Sequence, residues 1–375
     1  MCNIHMILNN KQKIFIDRVT DDCILSDDKF TKVHNFLIIN NYELIDNHLV
    51  SDVIILDICW FKKNFLDQTG KKIDLYLGLN KTVILFWCIS AIFREKYWES
   101  LIYVNSKNFS EVEGYFEHKI WILETDSLSF KNKLTILETG AYRNYSATLN
   151  DFDKIWFVSI SNWCSLSCSY CNIKKIKWNT LSSPLEQILG EISKKIEKWE
   201  LHIYLLSDDC GSYGIDIWTD FADLLDRIFA LNDNVKVYIT NIYPLFFLKF
   251  YDRIKKYIFS DRIGSIVLPL QHTSERILSL MNRKYRIDKI IELLVEIKNS
   301  SNTQLLNHII FDYHDETLEE FVDTLRLLPL YDKSIYIKYS DINNVFWEGM
   351  ISNNLKRKIT LLKKLEKKYT IDMVI

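Results

Sequence analysis

The stretch Trp163-CSLSCSYC-Asn172, between a predicted strand and a predicted helix, decides how most of this chain is expected to fold. Its cysteines follow the spacing C-x3-C-x2-C, so the thiolates of Cys164, Cys168 and Cys171 can ligate three irons of one [4Fe-4S] cluster. The fourth iron would then be open to a small chelating ligand. A zinc site or three unrelated thiols is the alternative, but zinc prefers four ligands and no fourth Cys or His follows closely. The spacing therefore favours an iron–sulfur cluster.

Alternating strands and helices surround this cysteine loop. The strand Ile155-WFVSIS runs directly into the loop, and the helix Pro184-LEQILGEISKKIEKW follows it, with proline in the first turn. Five more strands are predicted at Leu201-HIYLLS, Val235-KVYIT, Ser265-IVLPL, Gln304-LLNHIIF and Ser334-IYIKY. The whole stretch of repeated strands and helices is too short for a full eight-fold barrel. Residues 149–345 are therefore expected to form a partial (β/α)6-type barrel.

The N-terminal region, residues 1–148, shows an α/β pattern of its own. A strand is predicted at Lys13-IFIDRV, and continuous apolar runs, which are typical of buried parallel strands, occur at Val50-SDVIILDIC-Trp60 and Thr82-VILFWC. We therefore expect an open parallel-sheet α/β domain. Cys23, Cys59 and Cys88 stand at the carboxyl ends of these strands, where open parallel sheets bind ligands. They are either ligands of a second cluster or buried core cysteines, and the residues alone leave both open.

Composition limits the class of protein. The 375 residues are 48% hydrophobic and 14% aromatic, which is ample for folded cores. A formal net charge of −2 gives no overall basic field that would attract nucleic acid. The N terminus lacks a signal-peptide pattern, and the longest apolar run, Thr82-VILFWCISAIF-Arg94, is too short to span a bilayer. An oxygen-sensitive cluster also needs a reducing compartment, so a cytoplasmic location without a membrane partner is expected.

Several segments together resemble the radical S-adenosylmethionine (SAM) methylthiotransferases, in the order of that family. Tyr170, before the last cysteine of the loop, is similar to the aromatic residue of radical SAM enzymes. Cys23, Cys59 and Cys88 stand where the family has ligands for a second cluster. The other similar segments are Cys171-NIKKIKWNTLSSPLEQILGE, Leu206-SDDCGSYGID, Leu268-PLQHTSERILSLMNRKY, Ile309-IFDYHDETLEEFVDTL and the pair Tyr339-Ser340.

The resemblance implies two [4Fe-4S] clusters and SAM as cofactors. One SAM would methylate a sulfur on the second cluster, and another, bound to the first, would yield a 5′-deoxyadenosyl radical. That radical would take hydrogen from an unactivated C–H, and the resulting carbon radical would collect the methylthio group. The cofactors carry such chemistry, and the protein supplies position and excludes solvent. A reducing system such as flavodoxin or ferredoxin would supply the electrons.

The resemblance also implies roles for individual side chains. Tyr170 is expected near the adenine of SAM. Four polar residues are expected to line the SAM or substrate site, and ordinary strand-end hydrogen bonding is the alternative: Asp208, Asp209, Gln271 and Arg283. Arg283 can instead form a structural ion pair. Cys210 lies beside the expected site, although an inert thiol is the simpler interpretation.

The C-terminal region and one loop depart from the family pattern. Asp312, His314 and Asp315 replace the usual Gly, Pro and Gly, so a different loop path is expected. Residues 346–375 are expected to be a basic helical tail in place of the family's RNA-gripping TRAM-type barrel. That difference favours a ribosomally made peptide or protein as substrate, in a peptide-modifying branch of the family, over tRNA. A tRNA enzyme with a truncated C terminus and a radical SAM enzyme of other chemistry are the alternatives.

Overall fold

The computed structural model describes residues 7–19, 24–58, 63–87, 91–97, 100–121, 155–171, 179–339 and 352–374. The chain divides into two compact units, Met1–Arg143 and Asn144–Ile375. Each unit contains its own parallel sheet.

The first unit is a five-stranded sheet in the order β2-β1-β3-β4-β5, and all of its strand pairs are parallel. Its strands are β1 (Lys13–Arg18), β2 (Glu43–Ile45), β3 (Val53–Ile58), β4 (Thr82–Trp87) and β5 (Ile102–Asn105). Its helices are α1 (Ile24–Ile39), α2 (Lys63–Gly78) and α3 (Ala91–Tyr97). Every residue of β3 is buried, as its continuous apolar run requires. The predicted open parallel-sheet domain is confirmed.

The second unit contains a seven-stranded sheet in the order β14-β13-β12-β11-β10-β9-β6, also parallel throughout. Its strands are β6 (Ile155–Ser159), β9 (His202–Leu206), β10 (Lys236–Ile239), β11 (Ile263–Val267), β12 (Gln304–Phe311), β13 (Lys333–Lys338) and β14 (Ile371–Val374). A separate antiparallel pair, β7 (Ser161–Asn162) and β8 (Leu181–Ser182), follows β6. The first six strands of the large sheet are those predicted, so the partial barrel is confirmed.

Amphipathic helices cover this sheet. They are α4 (Leu185–Glu197), α5 (Phe221–Leu231), α6 (Pro244–Phe259), α7 (Glu275–Leu280), α8 (Ile287–Ser300), α9 (Leu318–Thr324) and α10 (Asn353–Leu365). In α5, for example, the spacing of Phe221, Leu224, Leu225 and Ile228 places all four on the buried face. Asp220 caps this helix, because its side chain accepts the backbone N–H of Asp223. The apolar spacing thus determines which face of each helix packs on the sheet.

The C-terminal segment is more than the helical tail that the sequence predicts. The expected helix forms as α10, and its Leu355 and Leu362 are buried, with 4% and 0% of their surface exposed. Ile371–Val374 then forms β14, which pairs in parallel with β13. The strand was missed because four residues are too few to show a reliable pattern. The segment therefore belongs to the sheet and its core.

A close contact between neighbouring strands explains one of the few glycines. The rings of Tyr204 on β9 and Tyr238 on β10 are stacked, with centroids 6.0 Å apart and planes 3° from parallel. The ring of Tyr238 also covers Gly264 on β11, where an added Cβ would lie 2.4 Å from its Cε1 atom. Only a residue without a side chain leaves room for this ring.

Within the described residues, no helix is both long and apolar enough to cross a membrane.

Substituting two glycines should separate crowding from helix propensity. We expect Gly264→Ala to lower the free energy of unfolding by about 1 to 3 kcal/mol, because the new methyl group forces Tyr238 out of its position. Gly190→Ala is the control: its Cβ would meet nothing within 4 Å, and alanine in a helix is favoured by about 0.5 to 1 kcal/mol. Anaerobic denaturant unfolding measures both changes. A Gly264→Ala protein as stable as wild type would show that the ring of Tyr238 moves aside without a loss of stability.

Candidate metal centre

The cysteine loop begins and ends at the short β7–β8 pair and has no regular secondary structure in its described residues. Trp163 enters the loop with a φ of 68°, an unfavourable value for a residue other than glycine. Its N–H donates to Asp208 Oδ2 at 2.8 Å. The N–H of Cys171 donates to the carbonyl of Cys168 at 3.1 Å, which closes a turn. Cys164, Cys168 and Cys171 are all half-buried.

Residues 280–283, which we call the clamp segment, hold this loop from outside. Ser169 donates its backbone N–H and its hydroxyl to two carbonyls of the clamp segment, at 3.0 and 2.6 Å. The Nδ2 of Asn282 donates to the carbonyl of Ser167 at 2.7 Å. Each of these bonds crosses more than a hundred positions in the sequence, so the loop takes its shape from a distant part of the barrel.

Arg283 is the last residue of the clamp segment, and its guanidinium group reaches the cysteines. Nη1 lies 3.0 Å from the hydroxyl of Tyr170 and 3.6 Å from the sulfur of Cys168. Nη2 donates to the carbonyl of Pro269 at 2.5 Å. Burial acts to lower the pKa of Arg283, but Tyr170 and other neighbouring groups raise it above its usual value overall. A buried, permanently charged group therefore stands beside the cysteine loop.

The environment of Cys164 differs from that of a free thiol. Burial raises its pKa well above the usual range, and the carboxylates of Asp209 and Asp208 raise it further. A thiol ligates a metal as the thiolate, so binding of a metal at Cys164 would release its proton. Among the described residues, no three Cys, His, Asp or Glu side chains already form a metal-binding group. The three thiols therefore lie in one short segment, but their side chains do not converge on a common point.

Two buried polar atoms beside the loop fit a polar ligand. Asp209 is 3% exposed, and its Oδ1 accepts the N–H groups of Gly211 and Tyr243 at 3.2 and 2.8 Å. Its Oδ2 has no hydrogen-bond partner among the described residues, and the same holds for Nε of Arg283. Burial raises the pKa of Asp209 to about 6. An unsatisfied acceptor and an unsatisfied donor suit a ligand with both kinds of group, such as SAM.

Gln271 and Asp208 make strand-end hydrogen bonds. The Oε1 of Gln271 accepts the backbone N–H of Ile310 at 2.9 Å, and the backbone N–H of Gln271 donates to the carbonyl of His308 at 3.2 Å. Gln271 thus extends the β11–β12 pairing beyond the strand, with a φ of 68°. Asp208 holds Trp163 in the same way. Both residues position backbone beside the site.

Tyr313 was not predicted to be near the cysteines, yet it contacts their loop. Its hydroxyl lies 2.8 Å from the hydroxyl of Ser169, and its ring meets that of Tyr170 edge to face at 6.4 Å. The two residues of the hydrogen bond are 144 positions apart, so no local pattern could reveal the contact.

Cys210 is fully buried, with its sulfur 3.4 Å from Oγ1 of Thr240, and is an interior thiol.

The cysteines predicted for the second cluster, Cys23, Cys59 and Cys88, lie outside the described residues.

Replacing Arg283 should change the redox property of a bound cluster. We expect Arg283→Met to make its reduction potential more negative, because hydrogen bonds and positive charge near the ligand sulfurs stabilise the reduced form. Arg286→Met is the matched control, since the Arg286 side chain is 70% exposed. Potentiometric titration followed by electron paramagnetic resonance (EPR) measures the shift. Equal potentials in wild type and Arg283→Met would contradict this role.

Known proteins are similar to this chain in sequence and in fold. Residues 158–328 match the Radical SAM superfamily. The ribosomal protein uS12 methylthiotransferase RimO of Thermosipho melanesiensis is 26% identical over 329 residues, covering 85% of this chain and 73% of the relative. The tRNA-2-methylthio-N(6)-dimethylallyladenosine synthase of Thermosipho africanus is 25% identical over 322 residues, covering 84% of this chain and 72% of the relative.

A solved structure supports the fold. The radical SAM methyltransferase TsrM from Kitasatospora setae, with cobalamin and a [4Fe-4S] cluster bound, aligns with a TM-score of 0.53 at 11% identity. The alignment covers 87% of this chain and 74% of TsrM. The superfamily match confirms SAM and [4Fe-4S] chemistry as predicted from the cysteine loop. Residues 158–328 are a radical SAM domain, and this chain is a radical SAM enzyme related to the methylthiotransferases.

Proposed function

We propose that this enzyme is a methylthiotransferase that inserts a methylthio group at an unactivated C–H of a ribosomally made peptide or protein side chain. One SAM serves as methyl donor and another as the source of the 5′-deoxyadenosyl radical. One observation carries the proposal: the cysteine loop, described over 163–171 and similar to that of radical SAM enzymes, directly contacts 268–285, the segment that resembles methylthiotransferases. Arg283 and Asn282 of that segment bond to the loop.

The residues around the loop suit the handling of SAM. In this proposal Cys164, Cys168 and Cys171 ligate the first cluster. Tyr170, Asp209 and Arg283 then bind or orient SAM with their side chains, and Asp208 and Gln271 position the backbone beside it. The unpartnered Oδ2 of Asp209 supports this assignment, because a buried acceptor needs a donor from the ligand. A flavodoxin or ferredoxin would deliver the electron.

The second cluster is assigned to Cys23, Cys59 and Cys88. Cys59 and Cys88 directly follow β3 and β4, which are neighbouring parallel strands whose last residues, Ile58 and Trp87, are paired. The carboxyl ends of parallel strands are the usual place for ligands in open α/β sheets. This strand arrangement supports a ligand role for Cys59 and Cys88.

The substrate class rests on charge. A net charge of −2 provides no general attraction to RNA, and the first relatives named above include an enzyme of ribosomal protein uS12. A tRNA substrate is the alternative, because the other relative is named as a tRNA-modifying enzyme. The exposed cations of α10, which include Lys356, Arg357, Lys363 and Lys364, also favour that alternative. A third candidate is another radical SAM peptide-modifying enzyme whose second cluster is auxiliary.

Two cysteine variants should separate the half-reactions. We expect Cys59→Ala to abolish methylthio transfer while 5′-deoxyadenosine formation continues, because the first cluster has its own ligands. Cys168→Ala should abolish both. Chromatography of the small-molecule and modified products, with iron content per chain, measures these outcomes. Full methylthio transfer by Cys59→Ala would show that the N-terminal cysteines are structural.

The substrate class can be tested in cells with and without the gene. We expect mass spectrometry to find a methylthio mass increase on a peptide or protein that disappears in the deletion strain, because this enzyme lacks a general attraction to RNA. Nucleosides from total tRNA of the same cells are measured in parallel. The same increase on a tRNA nucleoside, with no modified peptide or protein, would support the tRNA alternative.

A further inference from the structure

The basic helix α10 contains one cation that is not at the surface. Lys356, Arg357, Lys363 and Lys364 are exposed, whereas the Lys358 side chain is only 1% exposed. An ammonium group is rarely buried without paired charges and hydrogen bonds, because the loss of hydration costs several kcal/mol. The burial of Lys358 therefore calls for a specific arrangement around it.

The partners of Lys358 lie on the loop after β12. Its Nζ is 2.5 Å from Oε2 of Glu316 and 3.2 Å from Oδ1 of Asp312, and it donates to the carbonyl of Glu316 at 3.2 Å. Glu316, whose side chain is 0% exposed, also accepts the N–H of Asp312 at 2.6 Å. Its other oxygen lies 2.9 Å from Nε2 of His272. Glu316 is thus a shared partner of the helix, the loop and the segment after β11.

This loop needs support from outside. Asp312 has a φ of 61° and His314 a φ of 41°, a conformation that glycine adopts easily and other residues adopt at a cost. Residues with such strain persist when the surrounding structure fixes them. Lys358 binds the side chain at one end of the loop, Asp312, and the side chain and carbonyl at the other end, Glu316. The helix therefore restrains both ends.

Between these ends lies Tyr313, which is 1% exposed and contacts the cysteine loop. Its hydroxyl is 2.8 Å from Oγ of Ser169, and its ring packs against Tyr170. Ser169 and Tyr170 separate Cys168 from Cys171 in the sequence. A shift of the 312–316 loop would therefore move Tyr313, which contacts the two residues between these cluster ligands.

We propose that Lys358 is a positioning residue of the cofactor site: it fixes the 312–316 loop and, through Tyr313, the cysteine loop that binds the cluster and SAM. This assigns the helix α10 to the radical SAM site, with Lys358 facing inward. The proposal rests on the radical SAM assignment alone and is independent of which substrate is methylthiolated.

The test uses the full-length holoenzyme and four variants. Lys358→Met removes the charge and keeps the length of the side chain. Lys358→Met combined with Glu316→Gln removes both charges, so that no lone buried charge remains. Leu362→Ala disturbs the packing of the same helix without touching the loop, and Lys356→Met removes an exposed charge from it. The readouts are iron per chain, thermal midpoint, SAM dissociation constant, and the EPR spectrum of the reduced cluster with and without SAM.

We expect Lys358→Met to raise the SAM dissociation constant about tenfold and to weaken the SAM-induced change in the EPR spectrum, as when a partner that orients a metal ligand is lost. The double variant should regain thermal stability but not SAM affinity. Leu362→Ala should lose stability yet keep the wild-type SAM response, and Lys356→Met should match wild type throughout.

Three outcomes would overturn the proposal. The first is a wild-type SAM affinity and EPR response in Lys358→Met. The second is recovery of stability and SAM affinity together in the double variant, which would make Lys358 a structural residue only. The third is an equal loss of SAM affinity in Leu362→Ala at matched stability. If Lys358→Met does not fold, the double variant and Leu362→Ala still decide the question.

Discussion

Hydrogen bonds from the clamp segment to the cysteine loop are the interactions on which the candidate site depends. The loop has no strand or helix of its own between Cys164 and Cys171, so it lacks an internal ladder of backbone bonds. The clamp segment, more than a hundred residues later, provides substitutes: the carbonyls of Leu280 and Met281 accept from Ser169, and the side chains of Asn282 and Arg283 bond to Ser167 and Tyr170. Folding of the barrel and assembly of the ligand loop are therefore coupled, because the loop is shaped only when the strand β11 and the helix α7 are in position.

Electrostatics adds a second constraint on the same loop. Arg283 brings a buried positive charge to Cys168, while Asp208 and Asp209 act on Cys164 from the end of β9. Three thiolates holding a cluster would add negative charge to this half-buried loop, which favours a nearby fixed cation. Opposite charges beside different parts of one short loop also favour a single orientation of a ligand that carries both signs.

The sequence predicted what is local and missed what is distant. Short stretches of sequence were enough to predict the cysteine loop, the six barrel strands and the parallel N-terminal sheet. The structure contains all three. The contact of Tyr313 with Ser169 joins residues 144 positions apart, so no window includes both. Lys358 did carry a signal: it follows Leu355 by three residues and precedes Leu362 by four, which places it on the buried face of α10. The other cations of this predicted basic helix are exposed.

The contact between Tyr238 and Gly264 restricts how this barrel can diverge over evolution. A larger residue at position 264 is tolerated after Tyr238 has become smaller, whereas the reverse order creates a clash first. A smaller residue at position 238 alone leaves a hole beside the ring of Tyr204. The two positions are therefore expected to change as a pair, one large and one small, and relatives that exchange their sizes would have passed through a less stable ancestor.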